Sequence, residues 1–185
     1  MRVRKKSQRL KIKNELSEVN MLGLFFVDNK GSSWINEMNE VLYGQECKGK
    51  PVVFFWWHQK PKGTDKTLTY LQNELKKFGF FPIYAKTQDG CYMFTAVDFI
   101  VNPLENFEKI KSSWGKKYCL YKWSSQDEIK KDIESEIEEK QKKDKTGITS
   151  IPKVLFVISC VIEIDCSKQV FHQENIRANL IPIEL

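Results

Sequence analysis

The residues best suited to chemistry crowd into one stretch of this chain. Lys50-Pro51-Val52-Val53-Phe54-Phe55-Trp56-Trp57-His58 runs directly into Gln59-Lys60-Pro61-Lys62-Gly63-Thr64-Asp65-Lys66-Thr67. Trp56 and Trp57 carry indole faces on which a base can stack, and Lys60, Lys62 and Lys66 carry ammonium groups for phosphates. His58 stands between the two sets and, with His172, makes up the two histidines of the chain. A Ser–His–Asp or Cys–His hydrolytic centre would have to use one of them. His58 can be drawn beside Asp65 or Asp98, but no spacing compels a dyad, and a hydrogen-bonded structural histidine is the simpler reading.

The same loop imitates a phosphate-binding turn. The Walker pattern Gly-x-x-x-x-Gly-Lys-[Ser/Thr] lets backbone N–H groups wrap a phosphate between a strand and a helix. Lys66-Thr67 matches its end, but Asp65 and Lys60 occupy the two glycine positions. A carboxylate would then face the phosphate. The stretch reads better as a helix start capped at Thr64-Asp65, with a nucleotide-dependent or nucleic-acid-processing enzyme built on Gly63–Thr67 as the alternative. No cofactor and no metal is expected. Asp98, Glu163 and Asp165 lie in apolar strands without the spacing of a metal nuclease, and no Cys-x-x-Cys or zinc-spaced His occurs.

The aromatic residues Trp34, Tyr84, Tyr92, Trp114, Tyr121 and Trp123 widen the set of stacking candidates. Most of them must form core, and each buried indole then needs a partner for its N–H. Positive charge is plentiful: 30 Lys and Arg against 24 Asp and Glu give +6 over 185 residues, which favours an anionic partner. Residues 1–20 form a basic arm, in which Arg2, Arg4, Lys5, Lys6, Arg9, Lys11 and Lys13 could hold further phosphates. The five cysteines, at 47, 91, 119, 160 and 166, sit mostly in apolar runs. They are expected to be reduced core thiols, which predicts a cytoplasmic protein. No signal peptide or membrane span is read, so no membrane partner is expected.

These groups need elements to position them. Leu22–Asp28 reads as a strand, and Ser32 or Ser33 caps a helix over 34–43 with Trp34, Met38, Val41 and Leu42 at helical spacing. Residues 50–58 form a strand that is apolar on both faces. A helix from Thr64-Asp65 carries the stripe Leu68, Leu71, Leu75, Phe78 and ends at Gly79. Strands at 80–87 and 91–101 flank the hairpin signal Asp89-Gly90. A helix over 105–114, a strand over 117–123 and a charged helix over 126–145 follow. That last helix opens on a Ser125–Glu128 capping box and projects from the body. Lys153–Asp165 is a strong strand and Ile181–Leu185 a last one. The predicted class is α+β: a mixed, mainly antiparallel β-barrel or pseudobarrel over 21–185 with about four peripheral helices.

The order strand 22–28, Trp-bearing helix 34–43, aromatic-ended strand 50–58 resembles the opening of the PUA-like barrels, including the EVE and YTH modules. It is also similar to pseudobarrel DNA-recognition domains, such as those at the N-termini of the GTPase subunits of modification-dependent restriction systems. The resemblance implies a non-enzymatic nucleic-acid-binding module, DNA foremost. It would belong to a restriction or defence complex with further subunits and read a base by an aromatic pocket or base-edge contacts. Its site would comprise Trp56, Trp57, His58, Lys60, Lys62 and Lys66, with Arg4, Lys5, Lys6 and Arg9 from the arm. A protein-interaction domain, docking through the helix at 126–145, is the remaining alternative.

Overall fold

The computed structural model describes residues 22–28, 31–45, 47–57, 64–120, 123–143, 154–168, 171 and 181–184. The chain order is β1 (Leu22–Val27), α1 (Ser33–Tyr43), β2 (Val52–Trp57), α2 (Thr64–Phe78), β3 (Phe81–Lys86) and β4 (Cys91–Val101). A helical segment α3 follows, built from Phe107–Lys109, a π turn at Ile110–Trp114 and Gly115–Lys117. Then come α4 (Gln126–Lys143), β5 (Val154–Ile164) and β6 (Ile181–Glu184).

The strands form one six-stranded mixed sheet in the order β2-β5-β4-β3-β1-β6. Only β1 and β3 run parallel; every other neighbouring pair is antiparallel. The α+β class therefore stands, but the sheet is open, with β2 and β6 at its edges, and the expected barrel is corrected. Strands apolar on both faces can be buried by closing a barrel or by helices laid on both sides. This chain does the second. Leu24, Phe26, Ile83, Phe94, Phe156 and Val52 face Ile35, Met38 and Leu42 of α1 and Leu71 of α2. Val53, Leu155, Val157 and Ile100 face Phe107, Ile110 and Trp114 of α3 and Ile129 and Ile133 of α4. A third cluster, with Phe25, Tyr84, Met93, Ile164 and Phe171, extends the interior.

Local chemistry explains the joints. Gly79 adopts φ +79° and donates its N–H to the Leu75 carbonyl at 2.9 Å, which ends α2 in the left-handed conformation that glycine takes without steric cost. The β3–β4 turn is held by Thr87, whose hydroxyl accepts the Asp89 and Gly90 N–H groups. Ser32 starts α1, yet its own side chain makes no capping bond. Instead Asp89 Oδ2 accepts the Ser32 N–H at 2.7 Å and the Ser32 hydroxyl at 3.2 Å. A carboxylate from the hairpin thus sits at the N-terminal end of the helix dipole. At α4 the Ser125 hydroxyl accepts the Glu128 N–H as the capping box requires, while the Glu128 carboxylate turns to Ser124. Those hydrogen bonds hold its carboxyl below the usual carboxylate range. The helix also docks more firmly than its charge implies, because Ile129 and Ile133 are fully buried.

Two further expectations are corrected. Among the described residues the strand expected over 117–123 reduces to one bridge, Cys119 beside Val52, because residues up to Lys117 are helical. The cysteines are not all reduced: Cys47 pairs with Cys119 and Cys91 with Cys166, leaving Cys160 free. The partners lie 72 and 75 residues apart in sequence, so only the folded sheet brings them together. Paired cysteines are the pattern of oxidising compartments, so the cytoplasmic expectation loses the support it drew from reduced thiols. No helix among the described residues is long and apolar enough to cross a membrane.

Opening the Cys47–Cys119 loop should cost up to about 4 kcal/mol by loop-closure entropy, a fall in melting temperature on the order of 10 °C. Calorimetry of Cys119→Ser checks this; Cys160→Ser is expected to melt like the parent protein. Burial pushes the Tyr84 hydroxyl up to about 12. The folded state then holds this proton more tightly than the unfolded chain. The resulting stability is present below pH 10 and is lost as pH rises toward 12. Tyr84→Phe is expected to flatten that alkaline limb in melts recorded between pH 9 and 12.

Candidate nucleic-acid interface

The two-sided reading of the aromatic strand holds at its start. Val52 and Val53 are both fully buried, one on each face of the sheet. The backbone of β2 continues through Phe55 to Trp57, which pairs with Val154 across an irregularity in register. The side chains of Trp56 and Trp57 lie outside the described residues, as do His58, Lys60, Lys62, Arg4, Lys5, Lys6 and Arg9.

Lys66 is the expected site residue whose surroundings are described. It lies exposed on the first turns of α2, with its Nζ 5.7 Å from the ring centroid of Tyr70. Tyr70 is 45% exposed, one of two large apolar side chains so open among the described residues. Asn73 and Lys77 are exposed on the same helix. The spacing from Lys66 to Tyr70, Asn73 and Lys77 is i, i+4, i+7, i+11, so all four share one stripe. The buried stripe of α2, centred on Leu71, orients this face outward. Thr67 falls on the buried side and is 4% exposed.

The described indoles find their partners, and the partners are carboxylates. Trp34 Nε1 donates to Asp28 at 3.0 Å, Trp114 Nε1 to Asp98 at 3.1 Å and Trp123 Nε1 to Asp132 at 3.1 Å. Trp34 also stacks on Phe94, with centroids 5.8 Å apart and planes 9° from parallel. Trp114, Trp123, Tyr84 and Tyr92 are all buried. These rings are therefore core and leave the set of stacking candidates. Among the described residues no three His, Cys, Asp or Glu side chains are placed to hold a metal ion.

Asp98 carries more than its sequence setting shows. Its Oδ2 accepts from both Trp114 and the Tyr118 hydroxyl, at 3.1 and 3.2 Å. Its Oδ1 accepts the Phe99 N–H at 2.8 Å and lies 3.6 Å from the Lys109 ammonium. A bulge makes this possible. The register of β4 on β5 shifts between Ala96 and Asp98, so Phe99 stays on the α1/α2 side while Asp98 turns toward α3. Lys117 extends the network, its Nζ 4.9 Å from the Tyr118 ring centroid. Hydrogen bonding to Tyr118 raises the pKa of Lys117, and burial raises that of Tyr118.

Lys109 and Lys117 belong to a stretch that reading for motifs passes over. From Lys109 to Gln126 there are five lysines and no Asp or Glu. A count of local charge would have found it. Comparison of the chain with protein-family models, with characterised proteins and with solved structures finds no match.

Asp98→Ala leaves a buried indole N–H and a phenol O–H without their acceptor. The expected cost is roughly 2–4 kcal/mol in urea unfolding. A change below about 0.5 kcal/mol would show that the network carries little of the packing of α3.

Proposed function

We propose that the protein is a nucleic-acid-binding module, DNA foremost, with no catalytic step of its own. The observation that supports this best is the exposed stripe of α2. An aromatic ring open to solvent beside a lysine supplies what a single strand needs. Tyr70 gives a stacking face, Lys66 and Lys77 give phosphate contacts, and Asn73 gives an amide that can pair with a base edge. The helix begins just after the loop that carries His58, Lys60 and Lys62, and after the strand that ends in Trp56 and Trp57. In this reading these residues and the arm with Arg4, Lys5, Lys6 and Arg9 supply further contacts to the same nucleic acid. The net charge of +6 gives it a long-range attraction to phosphate.

The nucleotide-dependent alternative loses its threonine. Thr67 would have to meet a nucleotide-bound magnesium ion, and its side chain is buried under α2. A protein-interaction role retains one specific feature, an open hollow of about 420 Å³ lined by Trp123, Glu128, Lys131, Asp132 and Ser135. Its mixed charge suits a peptide better than a phosphate chain.

Fluorescence anisotropy with labelled single- and double-stranded oligonucleotides tests the proposal. Binding should weaken steeply with salt. Tyr70→Ala should lose about 1–3 kcal/mol of affinity for single strands and keep the salt slope, whereas Lys66→Ala should lower the slope by roughly 0.7. Absence of binding at low salt, or identical behaviour of the two variants, would remove this reading.

A further inference from the structure

A second lysine group lies on a different part of the described surface. Cys47-Lys48-Gly49-Lys50 forms a tight turn, closed by the Lys50 N–H on the Cys47 carbonyl at 2.8 Å. Lys48 and Gly49 both hold left-handed backbones, at φ 48° and 76°. Two such residues in succession define a turn that favours Asn, Asp or Gly at its centre. Lysine at the first position works against its own Cβ. A lysine in this left-handed conformation is uncommon and invites a functional reading. Lys48 and Lys50 are both exposed.

The Cys47–Cys119 disulfide fastens this turn to the end of α3, with the two Cα atoms 5.3 Å apart. Backbone hydrogen bonds fix the same junction to the start of edge strand β2. The Cys119 N–H donates to Pro51 O at 2.8 Å, and Cys119 O accepts the Val53 N–H at 2.8 Å. Lys116 and Lys117, three and two residues before Cys119, are exposed as well. Lys48, Lys50, Lys116 and Lys117 therefore each lie within three residues of a bridged cysteine. Bringing four like charges together opposes folding, and the contact of Lys117 with Tyr118 offsets only part of that.

The shape of the charge narrows the partner. Tyr43 and Tyr70 are the large apolar side chains exposed among the described residues. Tyr43 is tied to β5 through its hydroxyl, which donates to Val161 O at 3.3 Å. Among the described residues the lysine group thus has no cluster of apolar anchors such as holds a protein on a lipid surface. A phosphodiester backbone, with its closely spaced charges, needs none.

We propose that Lys48, Lys50, Lys116 and Lys117, gathered at the Cys47–Cys119 bridge, form a contact site for the phosphate backbone of nucleic acid, separate from the α2 stripe. It rests on the nucleic-acid reading above and adds a second, sequence-independent point of attachment. The full chain is titrated by anisotropy with a DNA duplex of about 20 base pairs at several salt concentrations, and with phosphatidylserine vesicles. Two variants are compared with the parent: Lys48→Gly with Lys50→Gln, and Lys116→Gln with Lys117→Gln. Each should lose roughly tenfold in affinity at moderate salt and lower the log–log salt slope by about 1.8. Lys48→Gly alone should raise the melting temperature while weakening binding, because glycine suits that backbone. If the Lys116/Lys117 variant does not fold, the turn variant decides.

Parent-like affinity and slope in the variants, with the parent binding DNA, would overturn this site and leave the general reading intact. No DNA binding by the parent at low salt would remove both. Binding to vesicles without binding to DNA would replace the proposed partner with an anionic membrane.

Discussion

Asp98 reaches the α3 side of the sheet only because β4 carries a bulge just before it. Without that shift the strand's alternation would aim the carboxylate into the apolar layer under α1 and α2, where burying a charge is costly. Turned the other way, it accepts an indole, a phenol and a backbone N–H, and lies beside an ammonium. Those bonds set how α3 lies on the sheet. Through α3 they also set where Lys116, Lys117 and Cys119 emerge. One displaced residue in a strand thus connects the packing of a helix with the placement of a disulfide and a charged surface.

The same arrangement recurs at smaller scale. Asp28 holds the Trp34 indole and Asp132 holds that of Trp123. Asp89 does for the start of α1 what that helix's own serine does not. Several acidic residues are thereby committed to internal partners, whereas lysines such as Lys48, Lys50, Lys66, Lys111 and Lys116 remain exposed.

Much of this was readable along the chain. The β3–β4 hairpin, the apolar stripe of α2 with its terminating Gly79, and the long β5 each follow from local pattern, and local pattern is what periodicity reports. The layers were not readable, because a strand apolar on both faces looks the same inside a barrel and between two sheets of helices. The bulge at Asp98 was hidden because an extra residue in a ladder leaves no mark in composition. The disulfides were hidden because pairing depends on which strands become neighbours. Lys66 was legible as an exposed cation, but its partner Tyr70 was not singled out: a tyrosine one turn along a helix is as often core as surface. The lysines near Cys119 match no motif; only the run of five Lys without Asp or Glu from Lys109 to Gln126 marks them.

The two disulfides are interleaved: Cys47 joins Cys119, and Cys91, which lies between them, joins Cys166 beyond. The two covalent loops therefore overlap along the chain. Any single cut between Cys47 and Cys166 falls inside at least one of them. A protease that nicks the backbone anywhere in that span would release no fragment until a reductant arrived. The molecule would keep its mass while losing its continuity, so its two ends would part only when the chain and every bridge spanning the cut had been broken.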